Sequence, residues 1–179
     1  MHTEYEARIL EIDSKKLEEK LKELNAIYKG EIDQKRYVYD VKPKREGKWI
    51  RLRKANDNIT LTIKDIISET IDGTKELEIE VDSFENTNLL LEELGYINKG
   101  YQENKRKRYY LDEVEIDIDD WPLIPTYVEI EGKDEESVIN VIEKLGFNKE
   151  DIVTLSVNDV YRKYGYELDD IKELKFKED

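Results

Sequence analysis

Cysteine is missing from the 179-residue chain, and histidine occurs once, at position 2. These absences exclude a disulfide framework, a thiolate nucleophile and a thiolate metal site, and His2 near the terminus is poor material for a triad or a zinc centre. No run of eighteen apolar residues and no leader-like segment occurs, so no spanning helix is expected and the expected compartment is the cytoplasm. Hydrophobic residues are scarce at 38%, while charged residues reach 41%. That balance suits a disordered chain, a very soluble one, or one built round a polar interior. Disorder fits poorly, because apolar residues recur at strand or helix spacing along most of the length. Basic residues are also short, 30 against 44 acidic, for a net charge of -14. Non-specific binding to nucleic acid or to an anionic membrane is disfavoured, and any anion site has to be a local basic pocket.

What is present is a series of short strands with a few helices, which predicts an α+β fold. "TEYEARI" (3–9) alternates, with Glu4, Glu6 and Arg8 on one face and Tyr5, Ala7 and Ile9 on the other. "SKKLEEKLKELNA" places Leu17, Leu21 and Leu24 at helical spacing behind Ser14 as N-cap. "QKRYVYD", "KWIRLRK", "NITLTIKD" and "KELEIEV" follow as extended stretches. A helix capped at Ser83 and closed near Gly95 comes next, then the strands "KRKRYYL", "VEIDIDD" and "TYVEIEG" and the helix "DEESVINVIEKLGF". The two phrases ending Leu-Gly-aromatic suggest a weak internal repeat. The expected organisation is one domain, 1–179, with a core over 3–147 and a mixed segment over 148–179. The final "KELKFKED" is expected to fray. Hairpin-length connections favour antiparallel pairing, and about eight strands suffice to close a barrel.

Each strand sets charge against apolar side chains. Arg51 and Arg53 oppose Ile50 and Leu52; Thr60, Thr62 and Lys64 oppose Ile59, Leu61 and Ile63; Glu76, Glu78 and Glu80 oppose Leu77, Ile79 and Val81. Arg106 and Arg108 share a face, as do Glu115, Asp117 and Asp119, and Glu129 and Glu131. A solvated outer face explains any one strand. The series differs from a solvent face because whole strands are nearly all acid or all base, and the bases are mostly arginine. Helices packed outside a closed sheet would leave the charged faces lining its lumen. An arginine wall opposite a carboxylate cluster suits a polyphosphate bound with a hard divalent cation.

These residues resemble the CYTH superfamily, the triphosphate tunnel metalloenzymes. "EYEAR" is similar to its ExExK signature, "QKRYVYD" to its Q-x-D-x-Y-Y-D strand and "WIRLRK" to its L-R-x-R strand. "LTIK", "KELEIEV", "KRKRYY" and the pair "VEIDID" and "YVEIEG" follow in the family's order. The resemblance implies a closed eight-stranded antiparallel tunnel with a charged lumen and helices outside. It further implies metal ligands at Glu4, Glu6, Asp117, Asp119, Glu129 and Glu131, taking Mg²⁺ or Mn²⁺. Substrate contacts would come from Arg8, Arg51, Arg53, Lys64, Arg106 and Arg108, with Arg8 and Lys64 in the catalytic positions and Glu76 and Glu78 supporting. The sequence departs at Arg8, where the motif has lysine, at Arg36, where it has aspartate, and at Val38, where it has tyrosine.

The expected activity is metal-dependent hydrolysis of tripolyphosphate, ATP or thiamine triphosphate by a monomer or homodimer. The alternatives are class IV adenylyl cyclase chemistry and a non-catalytic polyphosphate-binding module. "KRKR" at 105–108 could read as a nucleic-acid patch, but strand context and net charge argue against one. "WPLIP" reads as a rigid turn packing Trp121 over a barrel end, and Val160 and Tyr161 as core.

Overall fold

The computed structural model describes residues 1–177. The chain runs β1 (His2–Ile9), α1 (Ser14–Glu23), β2 (Ile27–Arg45), β3 (Lys48–Ala55), β4 (Asn58–Ile66) and β5 (Thr74–Glu80). It continues through α2 (Phe84–Glu93), β6 (Asn98–Leu111), β7 (Val114–Asp120), β8 (Tyr127–Gly132) and α3 (Glu135–Lys144). Two short strands, β9 (Ile152–Val153) and β10 (Glu173–Leu174), flank α4 (Val157–Lys163).

The strand order β6-β2-β3-β4-β5-β1-β8-β7, with β6 also paired to β7, closes an eight-stranded antiparallel barrel. Short connections between sequential strands make the antiparallel ladder from β2 to β5. β1 is inserted between β5 and β8 and completes the ring.

The barrel is apolar outside and charged inside. Leu17 and Leu21 of α1 and Val138, Val141 and Ile142 of α3 cover Ala7, Ile9, Ile116, Ile118, Val128 and Ile130 from outside. Phe84 and Leu91 of α2 do the same over Tyr39, Ile50 and Leu52. Because side chains alternate along a strand, burying these faces under helices turns Glu4, Arg8, Lys64, Arg106, Asp117 and Glu129 inward, and all six are buried.

Several boundaries differ from the sequence reading. β2 and β6 extend well before "QKRYVYD" and "KRKRYYL", and they pair with each other from Ile27–Tyr110 to Tyr39–Asn98. The missed part of β2 buries no continuous face, Ile27 being 60% exposed, so it lacks the alternation by which a strand is recognised. The N-cap of α1 is Asp13, not Ser14, and its carboxylate accepts from the Lys16 amide at 3.2 Å. Part of the tail is tied down at Glu173 and Leu174. β10 adds in parallel to β6 at Tyr101 and Gln102, and Leu174 is buried. Gly100 permits this approach, since a Cβ there would lie 2.6 Å from the Ile171 carbonyl oxygen. Glu178 and Asp179, the end of that expected frayed stretch, lie outside the described residues.

Candidate functional site

The lumen holds a cavity of about 350 Å³ whose walls come from all eight barrel strands. Every sequence-predicted site residue except Asp117 and Asp119 lines it. Asp117 and Asp119 lie one layer deeper, buried behind Arg106. Glu115, Arg36, Trp121 and Tyr127 also line the cavity, although sequence reasoning gave none of them a binding role.

The cations fall into two groups. In the first, counter-charge is complete. Arg106 places Nε and Nη2 on Asp119 at 2.7 and 2.6 Å, Nη1 on Asp117 at 2.5 Å, and Nη2 on Glu129 at 3.0 Å. Burial opposes the charge of Arg106, yet Asp119, Glu129 and Asp117 outweigh it and fix the guanidinium as a cation. Arg108 shares Asp117 with Arg106, donating to Oδ1 at 2.9 Å and to the common Oδ2 at 2.8 Å, and meets Glu115 at 2.6 Å. Lys64 donates to both oxygens of Glu4 at 2.8 and 2.9 Å, with Glu76 at 3.5 Å. Arg8 bridges Glu6 at 2.5 Å and Glu129 at 2.7 Å, and donates to the Leu155 carbonyl at 2.6 Å.

The second group is under-compensated. Arg51 and Arg53 share one oxygen of Glu78, at 3.3 and 3.4 Å, and Thr62 donates to that same oxygen at 2.6 Å. The pKa of Arg53 is pushed down to about 10, first by Arg51, then by burial and Arg106. Arg36 directly faces Arg53 in the β2–β3 register. Its Nη2 donates to the amide oxygens of Gln34, at 2.7 Å, and Asn104, and its guanidinium stacks 4.5 Å over Trp121. The β2 alternation that turns Gln34 inward turns Arg36 inward too, so strand parity was the signal for it.

The acids are asymmetric as well. Burial pushes Glu129 upward, but Arg8, Arg106 and Lys64 prevail and hold it well below the usual carboxylate range. Glu131 has no such rescue: burial and then Glu6, Glu4 and Glu129 push it up to about 8. Glu6 is raised too, by burial above all, against the pull of Arg8. Four carboxylates crowded on β1 and β8 with too little positive charge are all-oxygen donors of the kind a hard divalent cation takes. The donor chemistry therefore fits Mg²⁺ or Mn²⁺. With Glu6 and Glu129 drawn to Arg8 and Glu4 to Lys64, no three acidic or imidazole groups among the described residues converge as ion ligands.

The "KRKR" stretch is split between two faces. Arg106 and Arg108 enter the lumen, while Lys107 pairs with Glu18 of α1 at 2.8 Å and Lys105 lies over Phe176. Trp121 packs edge-on against Tyr161, with centroids 6.1 Å apart, where α4 covers one end of the barrel.

A CYTH domain model matches residues 2–164. The chain belongs to the CYTH family. Its barrel resembles that of a protein from Pyrococcus horikoshii OT3, with TM-score 0.77 and 22% identity over 88% of this chain and 98% of that one. A protein of Vibrio parahaemolyticus, provisionally called an adenylate cyclase, superposes with TM-score 0.76 at 14% identity, covering 90% of this chain and 98% of its own. One from Hippeastrum, provisionally called an adenylyl cyclase and described as having a dominant triphosphatase activity, gives TM-score 0.58 at 19% identity, covering 91% and 96%. At these identities the likeness is one of fold. No curated protein matches the sequence. Among the described residues no helix is long and apolar enough to cross a membrane.

Proposed function

We propose that this CYTH protein hydrolyses a triphosphate inside its barrel with the help of a divalent cation. The observation that carries the reading is the division of the lumen: Arg51 and Arg53 share a single carboxylate, Glu78, and Arg36 beside them meets only neutral amides, across from the crowded Glu4, Glu6, Glu129 and Glu131. Guanidinium groups present paired donors that match phosphoryl oxygens, so the arginine wall is the natural seat of the phosphate chain. Lys64, tethered to Glu4, adds a point charge where the two walls meet. Mg²⁺ or Mn²⁺ held by Glu4, Glu6, Glu129 and Glu131 would supply Lewis acidity at the phosphoryl oxygens.

The protein's own groups define the rest of the step. Arg51 and Arg53 would orient the chain for in-line attack by water and stabilise charge growing on the leaving phosphate. Arg8 stays charged between Glu6 and Glu129, so it serves as a fixed electrostatic group and not as a base. Asp117 and Asp119 act through Arg106, holding its guanidinium in one orientation. Hydrolysis is preferred to cyclisation because the lumen offers no free aromatic face for a nucleobase at Trp121: Arg36 already covers that ring.

The test incubates the protein with tripolyphosphate, ATP or thiamine triphosphate, each with Mg²⁺ or Mn²⁺, and measures orthophosphate and cyclic AMP. Orthophosphate is expected. Cyclic AMP without orthophosphate would overturn hydrolysis in favour of a cyclase, and tight binding without product would leave a polyphosphate-binding module.

A further inference from the structure

Arg36 stands apart from the other lumen arginines. Its side chain is buried, yet among the described residues it makes no ion pair, and its polar partners are the neutral amides of Gln34 and Asn104. Its Nε is buried without an acceptor, and so is Nε1 of the stacked Trp121. Arginine does not give up its proton in proteins, so the charge persists. A buried, unpaired cation is costly, and Arg51, Arg53 and Arg106 add repulsion to the burial of Arg36. Such an arrangement is poor for the stability of the empty barrel and good for an anion.

We propose that Arg36 is the subsite for the terminal phosphoryl group of a linear three-phosphate chain, at the barrel end covered by Trp121. This rests on the triphosphate reading above and adds the polarity of the bound chain to it. Arg36 lies opposite Arg53, and Arg51 is two residues along the same face of β3. Adjacent strands are about 4.8 Å apart and same-face neighbours about 7 Å apart, close enough for linked phosphoryl groups to touch all three. Beyond Arg36 the path is shut by Trp121 at 4.5 Å, backed by the fully buried Tyr161. Only the end of a chain fits there, and the end group carries the most charge of any in the chain.

A structural arginine and a binding arginine predict opposite outcomes. Wild type, Arg36→Gln and Arg36→Lys are titrated calorimetrically in EDTA with linear tripolyphosphate and with cyclic trimetaphosphate, which has three phosphates and no terminal group. Thermal unfolding of each unliganded protein is measured alongside. Arg36→Gln is expected to weaken linear tripolyphosphate at least tenfold, to reduce the preference for linear over cyclic by a similar factor, and to unfold at an equal or higher temperature. Arg36→Lys, which keeps the charge without the fork, should fall between. Wild-type affinity for the linear chain in Arg36→Gln, an unchanged linear preference, or a lowered unfolding temperature in the unliganded variant overturns the subsite while leaving the triphosphate reading intact. Failure of the wild type to bind tripolyphosphate in EDTA overturns the subsite, and absence of both binding and orthophosphate release with Mg²⁺ as well removes the triphosphate reading.

Discussion

At the residue scale, two arginines on neighbouring strands with the same inward orientation have opposite energetics because of what surrounds them. Arg106 meets three carboxylates, so Arg106→Gln leaves Asp117, Asp119 and Glu129 facing one another. The expected cost is about 3–5 kcal/mol, as for removing one partner of a buried ion pair, read as a lowered denaturant midpoint. Arg36 meets amides and a ring, and its removal relieves repulsion. Glu131 gives a pH signature. Its folded pKa of about 8 lies above the ordinary 4.5, so the folded state holds a proton that the unfolded state has released. Metal-free protein should therefore lose stability as pH rises from about 4.5 through about 8, and added Mn²⁺ should flatten the slope. Melting temperatures at pH 5 and pH 8, in EDTA and in Mn²⁺, check this; Glu131→Gln should remove part of the dependence. A slope of the opposite sign would show that Glu131 is not crowded by its neighbours.

At the scale of elements, the helices supply what the charged strands cannot. α3 begins with a capping box in which the Asp134 carboxylate accepts from the Ser137 amide at 2.8 Å. Asp134→Ala should cost about 1 kcal/mol in a denaturant titration, without changing ligand binding, since α3 lies outside the lumen. The C-terminal strand β10 depends on close approach to β6 and on one anchor, Leu174. Leu174→Ala should cost about 2–5 kcal/mol, and the unfolding transition should report it. The strands and helices of the barrel were legible from alternation and from spacings such as Leu17 and Leu21. The first halves of β2 and β6 were not: the start of β2 is largely exposed, and the buried positions of early β6 are Gly100, Gln102 and Asn104, so neither carries a hydrophobic period. β10 was missed for a related reason: two paired residues are too few to show a period, and their pairing is with Tyr101 and Gln102, about seventy positions away.

For the whole molecule, the charge budget is uneven. A chain of net charge -14 keeps an arginine-rich wall in its interior, shielded from its own acidic surface by the barrel. Ligand binding to the folded state should show this directly. Tripolyphosphate with Mg²⁺ at about 100 times its Kd should add about 2.7 kcal/mol to stability, seen as a higher melting temperature. Arg51→Ala combined with Arg53→Ala should abolish most of that gain. An undiminished shift in the double variant would move the phosphate site away from β3.

Alternation within each strand is a local property, because successive Cβ atoms point to opposite faces, and so the sequence alone determined which side chains share a face and that one face was charged. Helix spacing likewise identified apolar stripes in need of a partner. Which face became the interior was a matter of closure, since β6 meeting β7 and helices covering the outside turn a charged strand face into a lumen. Tertiary structure alone also decided how acids and bases divide among themselves. Asp117 and Asp119 hold Arg106 across the short β6–β7 hairpin, whereas Arg36 is left with amides because the register of β2 on β6, distant in the chain, sets it beside Asn104. A one-dimensional pattern records charge but not the distance to its counter-charge, and that distance makes one buried arginine a strut and its neighbour a binding group.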